Sequence, residues 1–256
     1  MLGRLRRRPT HPSTILAGVD HDSHKYSRGV VGIIAGSKKY PGAALLCVGG
    51  ARRGGAGYVK CIASTELIST LIYSSYPDVV QVPSFKNEGC DAIVMGPGSP
   101  QISSIPKGVP LVLDGPAIAA VNSQRNPITV LTPHEGELKY LGYTLAGREE
   151  TVQKIANELN AIVVLKGRKT LVAAPYLPIL IDDIGGVELA TAGSGDILAG
   201  LIGSMLASWK PKNLTEAQKV TFLSVQYHSL AGVEARKRKN PVVATDILEA
   251  LPIVNL

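Results

Sequence analysis

"DAIVMGPGS", residues 91–99, sets four apolar residues directly against a glycine–proline–glycine turn. An apolar run with no polar alternation suits a strand covered on both faces, as in a parallel sheet flanked by helices. The turn reads in two ways: a simple reversal of the chain, or backbone left bare so that a ligand can approach it. The same design recurs at "VVGIIAGS" (30–37), "VPLVLDG" (109–115), "PITVLTPHEGE" (127–137) and "AIVVLKG" (161–167), each run closing on glycine or a polar loop. "GYVKCIA" (57–63) and "TLVAA" (170–174) extend the sheet, and "PGAALLCVGGARR" (41–53) carries Pro41 where a first helical position tolerates it. Strand and helix signals alternate, which predicts a doubly wound α/β domain.

Ligands of such sheets sit beyond the carboxyl ends of the strands. That rule gathers Gly36, Gly96, Gly98, Asp114, His134, Glu137 and Lys166 along one edge. The last third reads as helical over 196–208 and 215–237, with "WKPKNLTEAQ" (209–218) as the loop between helices.

Composition narrows the function classes. The chain has 256 residues, 45% apolar and 18% charged, enough for a sizeable core and against disorder. Its formal charge of +7 is concentrated in Arg4, Arg6, Arg7, Arg8 and in Arg236, Lys237, Arg238, Lys239; without those eight, 19 basic residues face 20 acidic ones. With aromatics at only 5%, a nucleic-acid surface is not expected. The boundaries read as a basic N-terminal tail over 1–22 and a single domain over 23–256. Cys47, Cys61 and Cys90 lack metal or disulfide spacing and suit reduced thiols of a cytoplasmic protein. No apolar stretch reaches the roughly 18 residues of a membrane span.

"TAGSGD" (191–196) carries the sharpest chemistry. Gly193 and Gly195 let backbone N–H groups converge, and the helix that follows adds the positive end of its dipole, which makes an anion site. Asp196 would lie within reach of the same point as a proton acceptor. The alternative is an ordinary helix start capped by Ser194 or Asp196. Two other common nucleotide motifs, G-x-x-x-x-G-K-[ST] and G-x-G-x-x-G after a strand, are absent. "LKGRKT" (165–170) offers Lys166, amides and Thr170 to a phosphate or ribose, or else a solvated lysine. "TPHEGE" (132–137) puts His134, Glu135 and Glu137 just past a strand, where a polar ligand or hydrated Mg²⁺ can be held.

Taken in order, "SHKYSRGVVGIIAGSKKYPGAALLC", "RRGGAGYVK", "VMGPGS", "LVLDG", "LTPHEGEL", "VVLKG", "ATAGSGDILAG" and "TDILEALP" resemble the NAD(P)H-hydrate dehydratases of the ribokinase-like superfamily, over about residues 23–252. The resemblance implies a three-layer α/β/α fold with a mostly parallel central sheet. It implies substrate contacts at Ala43, Gly98, His134 and Asp196, and nucleotide contacts at Lys166, Gly167, Arg168, Lys169, Thr170 and Gly195. It further implies an anion hole at Gly193, Ser194 and Gly195, Asp196 as the catalytic base, ADP or ATP as phosphoryl donor, and Mg²⁺ on the nucleotide phosphates; the protein's own metal ligands are left open, with Glu137 a candidate through water. The partners it implies are a hydrated NAD(P)H substrate, further copies of the chain in a homotetramer, and a separate epimerase.

The anion hole alone is shared with kinases of hydroxymethylpyrimidine or hydroxyethylthiazole; "HKYSRG" and His134 favour the dehydratase. A nucleotide-binding protein without turnover is the third reading. The chain departs from the family at "DGPAI" (114–118), where Pro116 replaces a second Asp, and at Ala192, where Gly is frequent. "LPILIDDIGG" (177–186) is expected as an unusual apolar loop at the outer wall of the donor pocket.

Overall fold

A computed structural model describes residues 15–86, 88–99, 106–123 and 126–254. Among the described residues nine strands form one sheet: β1 Val30–Ala35, β2 Tyr58–Ala63, β3 Val80–Gln81, β4 Ala92–Met95, β5 Leu111–Leu113, β6 Thr129–Leu131, β7 Ile162–Leu165, β8 Thr170–Ala173 and β9 Leu180–Asp182. Their spatial order is β3-β2-β1-β4-β5-β6-β7-β8-β9. The first seven are parallel, while at one edge β8 pairs antiparallel with β7 and β9 antiparallel with β8.

The apolar runs are continuous because each strand feeds two cores. Ala92 and Val94, Val112, Val130, Ile162 and Val164 point to one face. Ile93 and Met95, Leu111 and Leu113, Leu131, Val163 and Leu165 point to the other. Period-two geometry therefore appears as an unbroken hydrophobic string. Five helices cover the first face: α1 Pro41–Arg53, α2 Glu66–Ser75, α4 Ser194–Trp209, α5 Leu214–Arg236 and α6 Ala244–Ala250. The second face carries α3 Arg148–Leu159 and two 3-10 segments, Gly115–Ser123 and Glu135–Leu141. The architecture is the expected three-layer α/β/α with a mostly parallel sheet.

Local chemistry explains the helix ends. Pro41 opens α1 and Arg52 and Arg53 close it, complementing the dipole. Asn160 ends α3 in the left-handed conformation. The Asn213 side chain accepts from Glu216 N at 2.9 Å and caps α5. That cap corrects the expected loop: within "WKPKNLTEAQ" only residues 210–213 connect the helices, and Leu214 to Gln218 already form the first turns of α5. The stretch expected as an apolar loop over 177–186 contains β9, which pairs with β8 through Leu180, Ile181 and Asp182.

α1 and α4 approach closely because both are glycine-bearing at the crossing. A Cβ on Gly50 would overlap the carbonyl of Ile197, and one on Gly200 would overlap the carbonyl of Cys47. This contact fixes the start of α4 relative to the strand ends.

Of the tail expected over 1–22, residues 1–14 lie outside the described residues. Ile15 is buried, and its carbonyl accepts from Trp209 Nε1 at 3.1 Å. Cys47 and Cys61 are buried free thiols, and burial pushes Cys61 up to about 12. Among the described residues no helix is long and apolar enough to cross a membrane.

Candidate active site at the strand ends

The strand ends open on a cleft of about 630 Å³. Its floor comes from the β5, β6 and β7 exits and its far wall from the first turn of α4 and the middle of α5. Gly96 and Gly98 take φ of 115° and 60°, which side chains rarely adopt, and the turn they form packs on α1. A Cβ on Gly98 would overlap the Cβ of Ala43. Ala43 itself is nearly buried beneath Gly98 and supports that wall rather than lining the cleft.

Three strand exits build a charged cluster. Asp114, just after β5, is buried; its Oδ1 accepts from Thr132 Oγ1 at 2.6 Å and from Lys166 Nζ at 2.9 Å. Lys166, just after β7, also lies 3.7 Å from Glu137 Oε2. Burial works against the Lys166 charge, but Asp114 and Glu137 outweigh it and hold the ammonium above the ordinary lysine value. Lys166 is therefore not the solvated lysine that its place after a strand allowed. Glu137 Oε2 accepts from the backbone N–H of His134 at 2.8 Å, which latches the "TPHEGE" turn and leaves the imidazole largely exposed.

α4 begins at Gly193, whose φ is 93°, with no side-chain cap. Neither Ser194 nor Asp196 caps the helix, so the capping alternative fails. Among the described residues nothing accepts from the amides of Gly195 and Asp196, which face the cleft as donors. Ser194 differs: its amide donates to the Thr191 carbonyl at 3.3 Å and its hydroxyl faces His228. Its contribution to an anion hole is thus not a free amide, as the sequence implied.

Asp196 sits in the same first turn. Burial raises its pKa first, and the negative charge of Asp114 raises it further; Lys166 opposes and Glu137 adds to the rise, leaving the carboxyl at about 7. A carboxylate poised near neutrality can accept a proton and release it again. A Cβ placed on Gly195 would stand 3.2 Å from Lys166 Nζ, so the cation and the free amides converge on one space.

The cleft thus brings together Gly98, His134, Glu137, Lys166, Gly167, Arg168, Thr170, Gly193, Ser194, Gly195 and Asp196. Lys169 lines an adjoining recess instead. Sequence reasoning missed two groups. Arg148, the first residue of α3, pairs with Glu135 and donates from Nη2 to the carbonyl of Lys169 at 2.8 Å and of Leu165 at 3.3 Å, clamping the 165–170 loop. His228 and Ser229 on α5 line the cleft although no glycine-rich signal marks them. Among the described residues no three His, Cys, Asp or Glu side chains gather as a metal site.

Fold and site together define a ribokinase-like α/β protein whose fourth helix starts with unpaired amides beside a near-neutral aspartate. The profile of the NAD(P)H-hydrate dehydratase family matches residues 31–253, and the chain belongs to that family. It is 30% identical to the ADP-dependent (S)-NAD(P)H-hydrate dehydratase of Lactococcus lactis over 254 residues, covering 90% of each chain. The ADP/ATP-dependent NAD(P)H-hydrate dehydratase of Bacillus subtilis, co-crystallised with ATP and Mg²⁺, superposes with a TM-score of 0.81 at 28% identity over 93% of both chains. The bifunctional NAD(P)H-hydrate repair enzyme Nnr of Mycobacterium tuberculosis is 36% identical over 204 residues; the match covers 73% of this chain but only 42% of that protein. The chain therefore spans less than half the length of such curated relatives.

Proposed function

We propose that this protein repairs hydrated nicotinamide cofactors, converting (6S)-NADHX and (6S)-NADPHX to NADH and NADPH at the expense of ADP or ATP. The observation that carries the reading is Asp196, held at about 7 beside the unpaired amides of Gly195 and Asp196 and the Lys166 ammonium.

In this reading the donor's phosphates lie along the loop 166–170 and against the start of α4, with Gly195 at the transferring group. Gly98 and His134 face the hydrated nicotinamide, and Ala43 backs Gly98 from α1. Asp196 takes the proton of the added hydroxyl as its oxygen attacks the terminal phosphorus, and the bond from phosphorus to the bridging oxygen of the donor breaks. The free amides and Lys166 stabilise charge on the moving phosphoryl group, the kind of fixed donor set that dominates such transfers. The ring nitrogen then expels phosphate, and loss of a proton from the neighbouring carbon restores the double bond.

The donor set suits Mg²⁺ held chiefly by the nucleotide's own phosphate oxygens, because Asp114 and Glu137 are already engaged by Lys166 and, among the described residues, no group of three His, Cys, Asp or Glu side chains gathers. Mg²⁺ there would neutralise phosphate charge. Relatives named as bifunctional repair enzymes support an epimerase acting on the same substrates. A homotetramer and a cytoplasmic setting complete the proposal.

Hydrated NADH supplied with Mg²⁺ and ADP or ATP is expected to regain the near-ultraviolet absorbance of reduced nicotinamide. Asp196→Asn should lower that rate at least about 100-fold while the nucleotide still binds. Accumulation of a stable phosphorylated hydroxymethylpyrimidine or hydroxyethylthiazole, without recovery of NADH, would overturn the reading.

A further inference from the structure

His228 approaches the anion hole from behind. It lies on α5, is 4% exposed, and its Nε2 is 3.1 Å from Ser194 Oγ, itself 4% exposed at the start of α4. Both residues line the cleft. The Ser194 amide is already committed to Thr191, so what Ser194 can offer a ligand is its hydroxyl. The direction of the hydroxyl proton follows from the imidazole. Burial drives the ring to its neutral form, with a pKa of about 4, so one ring nitrogen carries a proton and the other does not. With that proton on Nε2, Ser194 Oγ accepts from Nε2–H across the 3.1 Å contact, and its own O–H is left to donate elsewhere.

We infer that His228 is a positioning residue, holding the Ser194 hydroxyl so that it donates to an oxygen of the phosphoryl group being transferred. The inference rests on the proposed phosphoryl-transfer chemistry and adds a side-chain donor to the free amides of Gly195 and Asp196. A cationic imidazole is not required, because the Lys166 ammonium already supplies positive charge at the same space.

Single and double variants test it with hydrated NADH and ADP under Mg²⁺. Ser194→Ala and His228→Leu should each lower kcat about tenfold, with KM for ADP changing less than about twofold, as for a contact made only in the transition state. The double variant should be no worse than either single, and His228→Gln, which retains an N–H at that reach, should recover most of the rate. Losses that multiply in the double variant, or equal losses in His228→Gln and His228→Leu, overturn it. A second measurement stands apart from turnover: ¹⁵N spectra of histidine-labelled protein should show His228 neutral and protonated on Nε2 at pH 7, its signal shifting in Ser194→Ala. A neutral ring protonated on Nδ1 overturns the inference even where the wild type regenerates NADH. Conversely, an Nε2-protonated His228 coupled to Ser194 in a protein that fails to regenerate NADH supports the geometry and removes the dehydratase reading.

Discussion

The first turn of α4 and the turn after it both use small residues, to opposite ends. At Gly195 the missing side chain keeps a space open beside Lys166, and the amides of Gly195 and Asp196 are left unpaired. At Gly200 and Gly203 the small residues let other groups in: the Cys47 carbonyl of α1 and the Val94 side chain of β4 occupy the space where side chains would stand. The difference lies in what can yield. A Cβ at Gly200 meets backbone, whereas one at Gly195 meets the far end of a lysine, which can move aside. Small residues near a helix start are therefore no guide to function until the opposing atoms are known.

The sharpest way to break this contrast is Gly200→Val, which should cost at least about 3 kcal/mol, because the clash with α1 backbone has no rotamer that relieves it. Chemical denaturation would show it; a stable Gly200→Val protein would mean that the crossing is looser than drawn.

The open turn should reveal itself through pH. Asp196 is raised to about 7, so below its unfolded value of about 4 it contributes no difference, and stability falls as pH rises from about 4 through about 7. His228 is depressed to about 4, so stability falls as pH drops from about 6.5 to about 4. Each effect is on the order of 3 to 4 kcal/mol, and in the wild type they oppose one another. Asp196→Asn should therefore lose stability on acidification from pH 6.5, and His228→Gln should gain it from pH 7 downward, in melting curves taken across that range. Matching slopes in the two variants would show that the pair is not buried as described. The rate itself should rise with pH through about 7 as Asp196 ionises.

Lys166→Met is expected to cost about 2 kcal/mol, since Asp114 would stay buried beside Glu137 and Asp196 without its cation. It should also move the midpoint of the pH–rate profile above that of the wild type. An unchanged midpoint would separate Lys166 from Asp196. The smallest effect is Gly195→Ala. Stability should change by less than about 1 kcal/mol while the rate falls about tenfold, as the added methyl enters the space between Lys166 and the amides.

Much of the fold was legible locally. Five apolar runs closing on glycine or polar loops are five strands, and "PGAALLCVGGARR" is helix from its first residue to its last. β3 and β9 were not anticipated: they are the two edge strands, only partly buried (unlike the equally short β5 and β6, which are buried throughout). The site was legible where chemistry sits in compact motifs, as at Asp196, Lys166 and Glu137. It was not legible at Arg148 and His228, which lie in ordinary helical sequence and act only because a loop or a second helix happens to face them.

By itself the sequence determined most of the strand and helix pattern, the edge where Asp114, Glu137 and Lys166 gather, and the unusual acid after two glycines. Those properties depend on residues close together in the chain. Only the tertiary structure decided that Asp114 and Glu137 hold Lys166 and that Asp196 stands near neutrality. It also decided that the Ser194 amide is occupied while its hydroxyl meets His228. Strand order and the α1–α4 and α4–α5 contacts bring together residues about 30 to about 150 positions apart, and burial and charge at a point are sums over everything that packs around it.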